Sequence, residues 1–175
     1  HTYLAEISLQ NNRENQSNKQ KTLKNITNNF LISYSNNCKD FDLINFDGHI
    51  IFSHSRLENL SFLIKKYNLK SDASHGSAIY DSLIKKKFDL TEIEGPFSFL
   101  MFDTRNKTVK AFSDHMNMHP IYYHFSGKKI IFSNSIKKIL EFNNKLNQIC
   151  EEATLDYLIS GLPKDGNTIY KKIKI

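Results

Sequence analysis

Apolar and polar positions alternate over residues 3–9, which predicts an opening strand. A stretch rich in Asn, Gln and Lys follows at 10–20; it has no apolar period and reads as a loop. Leu23, Ile26, Phe30 and Leu31 then recur at helical spacing and predict a helix. Residues 41–46 and 49–52 read as short strands on either side of Asp47-Gly48, a dipeptide that favours a tight hairpin turn. Leu57, Leu60, Leu63, Ile64 and Tyr67 mark one amphipathic helix. Ala78, Ile79, Leu83 and Ile84 mark another, capped by the Ser/Asp/Gly loop at 71–77. From Gly95 the pattern turns to β, with strands at 97–103, 108–113, 121–125 and 129–133 separated by turn residues such as Arg105-Asn106 and Ser126-Gly127. Helices at 134–142 and 151–160 follow, the second stopping at Gly161, a natural C′ residue. Strand, helices, a meander of strands, then helices is the order of an α+β layered fold, not of an alternating doubly wound one.

A chain of 175 residues with 39% hydrophobic and 24% charged positions is long enough for a core and too apolar for a disordered tail. It contains no run of 18 apolar residues and no basic-then-apolar leader, so no membrane partner is expected. Two cysteines, Cys38 and Cys150, form neither a disulfide framework nor a zinc set, which suits a reducing, cytoplasmic setting. The formal charge is +6, yet 21 of the 24 cations are Lys and only Arg13, Arg56 and Arg105 are Arg. Base and phosphate readout leans on Arg, so the clusters Lys85-Lys86-Lys87 and Lys171-Lys172 read as solvated surface and not as a nucleic-acid face. His115 and His119 are four apart but precede Pro120 in a turn. No carboxylate or thiol joins them at ligand spacing, and no metal site is expected.

Four collinear segments carry a resemblance. Glu94-Gly95-Pro96-Phe97-Ser98-Phe99-Leu100-Met101-Phe102-Asp103 is similar to the G-x-F-A/S-F-x-x-x-D strand of class II glutamine amidotransferase domains. Ser113-Asp114-His115-Met116-Asn117-Met118-His119-Pro120-Ile121-Tyr122-Tyr123 resembles their R-D-x-x-G-x-K-P-L-Y-Y segment, with Asn117 in place of a turn glycine. Asn is the non-glycine residue best suited to positive φ. Phe132-Ser133-Asn134-Ser135-Ile136-Lys137-Lys138-Ile139-Leu140 resembles F-A-S-E-I-K-A-L. The run from Leu155 to Gly161, with Asn167-Thr168-Ile169-Tyr170, resembles the family's exit segment. Upstream, Asp47-Gly48-His49 lies where the family has N-G-E, and Ser74-His75 lies where it has S-D. About 30 residues that normally precede N-G-E have no counterpart, and Arg56 is not assigned to the family's arginine loop.

The resemblance implies a four-layer αββα sandwich of the N-terminal-nucleophile type. It also implies a glutaminase site in which an N-terminal Cys attacks, Asn and Gly of N-G-E form an oxyanion hole, and two carboxylates hold the substrate ammonium. In this sequence only the glycine persists. His1 stands at position 1 with no thiol or hydroxyl. Asp47 offers acceptors where a donor is needed. His49 and His75 supply no negative charge. Asp47, Gly48, His49 and His75 are thus the expected remnant of a glutamine pocket with no catalytic residue. The bland reading of Asp47-Gly48, an ordinary hairpin turn, stands beside it.

The expectation is a degenerate glutaminase-like domain over 1–160 of an asparagine synthetase-like protein, with 161–175 leading toward a C-terminal synthetase domain. That domain is the expected partner, a second copy of the chain in a homodimer another. ATP and Mg are implied only for the synthetase part, since this sequence holds no Gly-rich phosphate loop and stops where that part would begin. Two other readings remain open: an active glutamine-hydrolysing domain whose Cys is missing from the sequence, and a stand-alone binding module.

Overall fold

In a computed structural model describing residues 3–8, 23–27, 30–34, 40–127, 129–161 and 164–175, the strands form two antiparallel sheets and divide between two compact units. The polar stretch at 10–20, together with His1, Arg13 and Cys38, lies outside the described residues.

One unit spans 38–120. Its sheet runs β4-β5-β6-β7, from β4 (Phe41–Phe46), β5 (His49–Ser55), β6 (Phe97–Asp103) and β7 (Thr108–Ser113). Helices α1 (Leu60–Tyr67) and α2 (His75–Leu83) complete it. Ile51, Phe97, Phe99 and Met101 share a core with Leu57, Leu63, Leu69, Ala78, Ile79 and Phe88. The alternate residues Ile50, Phe52, Leu100 and Phe102 are buried as well. Strands buried on both faces read as continuous apolar runs, which is why Phe97-Ser98-Phe99-Leu100-Met101-Phe102 shows no clean alternation. Helix α2 starts where Ser74 accepts a hydrogen bond from the Ser77 N–H at 3.2 Å. The next backbone donor, Gly76 N–H, reaches the Asp42 carboxylate on β4 at 2.8 Å. A Cβ at Gly76 would stand 2.6 Å from Ser53 Oγ, so this glycine allows helix and sheet to approach.

The other unit comprises the chain up to 37 and 121–175. Its sheet runs β2-β3-β1-β9-β8, from β1 (Tyr3–Ser8), β2 (Leu23–Thr27), β3 (Phe30–Tyr34), β8 (Tyr122–Phe125) and β9 (Lys129–Ser133). Helices α3 (Ile136–Phe142) and α4 (Glu151–Ser160) follow. Ile131, Ile139, Leu146 and Ile173 form a core. The segment read as an exit folds back onto this unit: Cys150 N–H donates to Ile169 O at 2.8 Å, Lys171 N–H to Gln148 O at 2.9 Å, and Ile173 is fully buried.

Two expectations need correction. The helix read from Leu23, Ile26, Phe30 and Leu31 is a pair of strands, β2 and β3, with β3 also pairing along β1 from Tyr3↔Tyr34 to Ile7↔Phe30. Four apolar residues in nine positions fit either period, and ladder formation with β1 overrides so weak a signal. The expected four-strand meander is two hairpins in different sheets, β6–β7 and β8–β9.

Between them, residues 114–120 turn on one carboxylate. Asp114 accepts from the backbone N–H groups of Phe97 at 3.3 Å, Met116 at 3.0 Å and Met118 at 3.2 Å. Burial pushes its pKa up, but the N–H groups of Met118, Phe97, His119 and Met116 outweigh that and hold it below the usual carboxylate range. Asn117 takes φ +51°, the left-handed conformation its place in the motif calls for. Asp114→Asn should lower unfolding stability at pH 7 by about 1–3 kcal/mol in urea titrations. Because the folded pKa is depressed, the wild-type advantage is present above the unfolded carboxylate pKa. It should fade as pH falls through the folded value, so the two proteins converge in acid.

Candidate functional site

The Asp-Gly dipeptide makes a two-residue hairpin turn between β4 and β5, with Phe46 opposite His49. Asp47 and Gly48 both take positive φ, +48° and +76°, the signature of a type I′ turn. Its polar groups are engaged. The Asp47 carboxylate meets Arg105 Nη2 at 2.5 Å, and Gly48 O accepts from Thr104 N–H at 2.9 Å and Thr104 Oγ1 at 2.8 Å. The Arg105 and Asp47 side chains are 66% and 57% exposed, so the ion pair contributes little to stability. The guanidinium occupies one of the two carboxylate oxygens, Oδ1. His49 follows on β5 opposite Asp103 of β6, with the Tyr80 ring of α2 at 6.4 Å. His49 Nδ1 is buried and has no hydrogen-bond partner among the described residues.

His75 stands at the other end of β5. As the first residue of α2, it accepts the Leu57 N–H on Nδ1 at 3.0 Å, which fixes the neutral tautomer with the proton on Nε2. The six residue steps from His49 to Ser55 cover roughly 20 Å. Asp47, Gly48 and His49 are therefore brought together, while His75 is set apart from them.

What the structure does assemble at the His75 end is a pair of histidines from distant sequence. His54 on β5 and His119 from the Asp114 loop stack with ring centroids 3.9 Å apart and planes 3° from parallel. The Phe41 ring lies 4.6 Å from His54. His119 Nδ1 donates to His54 O at 3.0 Å, a carbonyl that can only accept. His54 pairs in register with Ser98 of β6. His54 Nδ1 and Ser98 Oγ are both buried without a hydrogen-bond partner among the described residues. Burial, and next the neighbouring His119, lower the His54 pKa to about 4 against a weaker opposite pull from Asp40. Sequence gave only a hint of this pair: His119 sits at the motif's K position beside Pro120, and nothing pointed from it to His54, 65 residues away. Parallel stacked rings aim their lone pairs in parallel, not at one point. Among the described residues no three His, Cys, Asp or Glu side chains converge as metal ligands. Cys150 serves as the N-cap residue of α4.

The fold and this geometry define the class: a mixed α/β domain of two antiparallel sheets flanked by helices, with its motif loops at the ends of β5 and β6. A family profile described as a glutamine amidotransferase domain matches residues 32–175, and the chain belongs to that family. A Methanocaldococcus jannaschii protein provisionally named as a glutamine-hydrolysing asparagine synthetase is 29% identical over 126 residues. The match covers 70% of this chain and 24% of that protein, so the chain spans about a quarter of its relative's length. The chain is thus a glutamine amidotransferase domain that is similar to part of this archaeal protein.

The half-buried pair predicts a pH dependence. With the folded pKa of His54 near 4 and an unfolded value near 6.5, the unfolded chain binds the extra proton between those limits. Stability should fall as pH drops from about 6.5 to 4, by about 1–2 kcal/mol after discounting for partial solvent access. His54→Phe should flatten that part of the curve, read from urea midpoints at each pH. An unchanged slope in the variant would assign the dependence to other groups.

Proposed function

We propose that this domain does not hydrolyse glutamine and serves as a scaffold within an asparagine synthetase-like, ATP-dependent amide-forming protein. The observation that carries the reading is the state of the residues at the motif positions. Asp47, in the hairpin turn that opens β5, offers only acceptors, and His75, beside Leu57 just past the other end of β5, accepts the Leu57 N–H, so these positions present neither an oxyanion donor nor a carboxylate for an ammonium. A developing oxyanion needs donors, and losing one such donor costs on the order of 10²–10³ in rate. A substrate ammonium needs carboxylates, and neither His49 nor His75 is one. In this reading the domain has the αββα sandwich fold of the N-terminal-nucleophile type.

The reading places the chemistry on a synthetase part beyond this domain, where ATP and magnesium would be used; the residues described offer no metal ligand set of their own. Helix α4 suits contact with that part. Leu155, Leu158 and Ile159, spaced three and four apart, lie on one face and are 58%, 75% and 76% exposed. Unpartnered apolar stripes of this kind mark interaction surfaces. No helix among the described residues is long enough and apolar enough to cross a membrane.

A second reading, an active glutamine-hydrolysing domain, draws on the name of the archaeal relative. One experiment separates them. The full-length protein containing this domain, expressed from its own start codon, is supplied with ammonium or with glutamine as nitrogen source. Amide formation with ammonium and a glutamine rate at least 10²-fold lower is expected. Comparable rates, with stoichiometric glutamate release, would reverse the proposal. For the α4 surface, Leu158→Asp with Ile159→Asp should lower the thermal midpoint of that full-length protein and leave the 175-residue chain unchanged. Equal midpoints in all four samples would remove α4 as the interface.

A further inference from the structure

The unit built from the chain ends contains a cavity of about 690 Å³, within the range of small-molecule sites. Its walls come from three places. Tyr123, His124, Phe125 and Ser126 belong to β8 and its turn, Asn143, Lys145 and Leu146 to the connection after α3, and Lys172 and Lys174 to the segment that folds back. Three of these nine residues are lysines and none is acidic. Neither Lys145 nor Lys172 forms an ion pair with a described carboxylate, although seven pairs occur elsewhere. An uncompensated lysine cluster around a concave surface raises the positive potential there.

The walls are tied in place. Tyr123 and Lys174 exchange backbone hydrogen bonds at 2.8 and 2.9 Å. His124 Nδ1 donates to Lys172 O at 2.8 Å. Asn143 Oδ1 accepts from Lys145 N–H at 3.2 Å, setting the turn that presents this lysine. The Tyr123–Lys174 bridge also occupies the outer edge of β8, so an extended acidic peptide cannot add there as another strand. That favours a compact ligand. We infer that this cavity binds the pyrophosphate group of a small organic diphosphate, with the organic part against Phe125. Two linked phosphates bring about three negative charges, to be met by Lys145, Lys172 and Lys174, the last with its Nζ also donating to Asn167 Oδ1, and lysines hold phosphate as point charges. The Phe125 ring is 55% exposed and offers an apolar face beside them.

The test titrates the 175-residue chain, ¹⁵N-labelled, with inorganic pyrophosphate, ADP, adenosine and a hexaglutamate peptide at 50 mM salt. Saturable ADP binding is expected, with amide shifts at His124, Asn143 and Leu146. Pyrophosphate should bind more weakly than ADP, and adenosine more weakly still. Lys145→Gln with Lys172→Gln should weaken ADP binding at least tenfold. Lys145→Arg with Lys172→Arg should retain it, and so should the control Lys110→Gln with Lys137→Gln. Raising salt to 500 mM should cost a further tenfold or more. No saturable shift at these residues, an unchanged affinity in the Gln variant, equal loss in the control, or tighter binding of hexaglutamate than of ADP would each overturn the assignment.

Discussion

The Asp114 carboxylate is the constraint on which the motif end of the 38–120 unit depends. One buried anion gathers N–H groups from the first residue of β6 and from three positions of the following loop. Without it the buried Phe97 N–H would be left unpaired at a cost of about 1–3 kcal/mol, and the loop N–H groups would lose the anion that gathers them. With it, the chain leaves β7, makes a left-handed step at Asn117, and delivers His119 over His54. The Ser-Asp of the recognised motif is thus first a structural device. Its charge organises backbone, and the ring stack follows from that backbone.

Much of this fold was legible because its strong elements are locally consistent. The strands at 97–103, 108–113 and 129–133 and the helix at 151–160 sit where pattern and caps put them. Boundaries moved where tertiary contacts decide. β5 runs on to Ser55 because β6 pairs with it along its whole length, and α2 begins at His75 because Ser74 caps it and Asp42 receives the next N–H. β2 and β3 were not read because their four apolar positions also fit a helical period, and the pairing of β3 to β1, spanning up to 31 residues, leaves no local trace. The same holds for the split meander: each hairpin is a local signal, but the sheet it joins is not.

The site was legible in identity and not in place. The family resemblance groups Asp47, Gly48, His49 and His75 into one pocket, yet the hairpin fixes where the first three lie. In an Asp-Gly type I′ turn both φ angles must be positive, and the strand it opens carries the following residues away at about 3.3 Å each. The ordinary turn reading of Asp47-Gly48 therefore describes the local geometry, with Arg105 and Thr104 closing it. The residues brought to the other end of β5 are histidines whose partners come from another loop, a juxtaposition that no spacing rule could give.

Charge shows the same contrast between composition and placement. A formal +6 built mainly from Lys says nothing of where the excess resides. In the 38–120 unit, the charged side chains described are paired where they matter to packing. Lys85 and Lys87 grip the nearly buried Asp81 at 2.6 and 3.0 Å, outweighing the burial that would raise its pKa, and Lys66 meets Glu92 at 2.6 Å. In the other unit Lys129, Lys138 and Lys164 are paired with Glu6, Glu141 and Asp156, while Lys145 and Lys172 line one cavity with no ion pair to a described carboxylate. Solvated surface lysines cost almost nothing to disperse. Keeping these two beside Lys174, on a segment fastened by backbone hydrogen bonds to β8, holds like charges near one another against their mutual repulsion. An anion drawn from solution relieves that repulsion, so the same fastening that concentrates the charge also preorganises it.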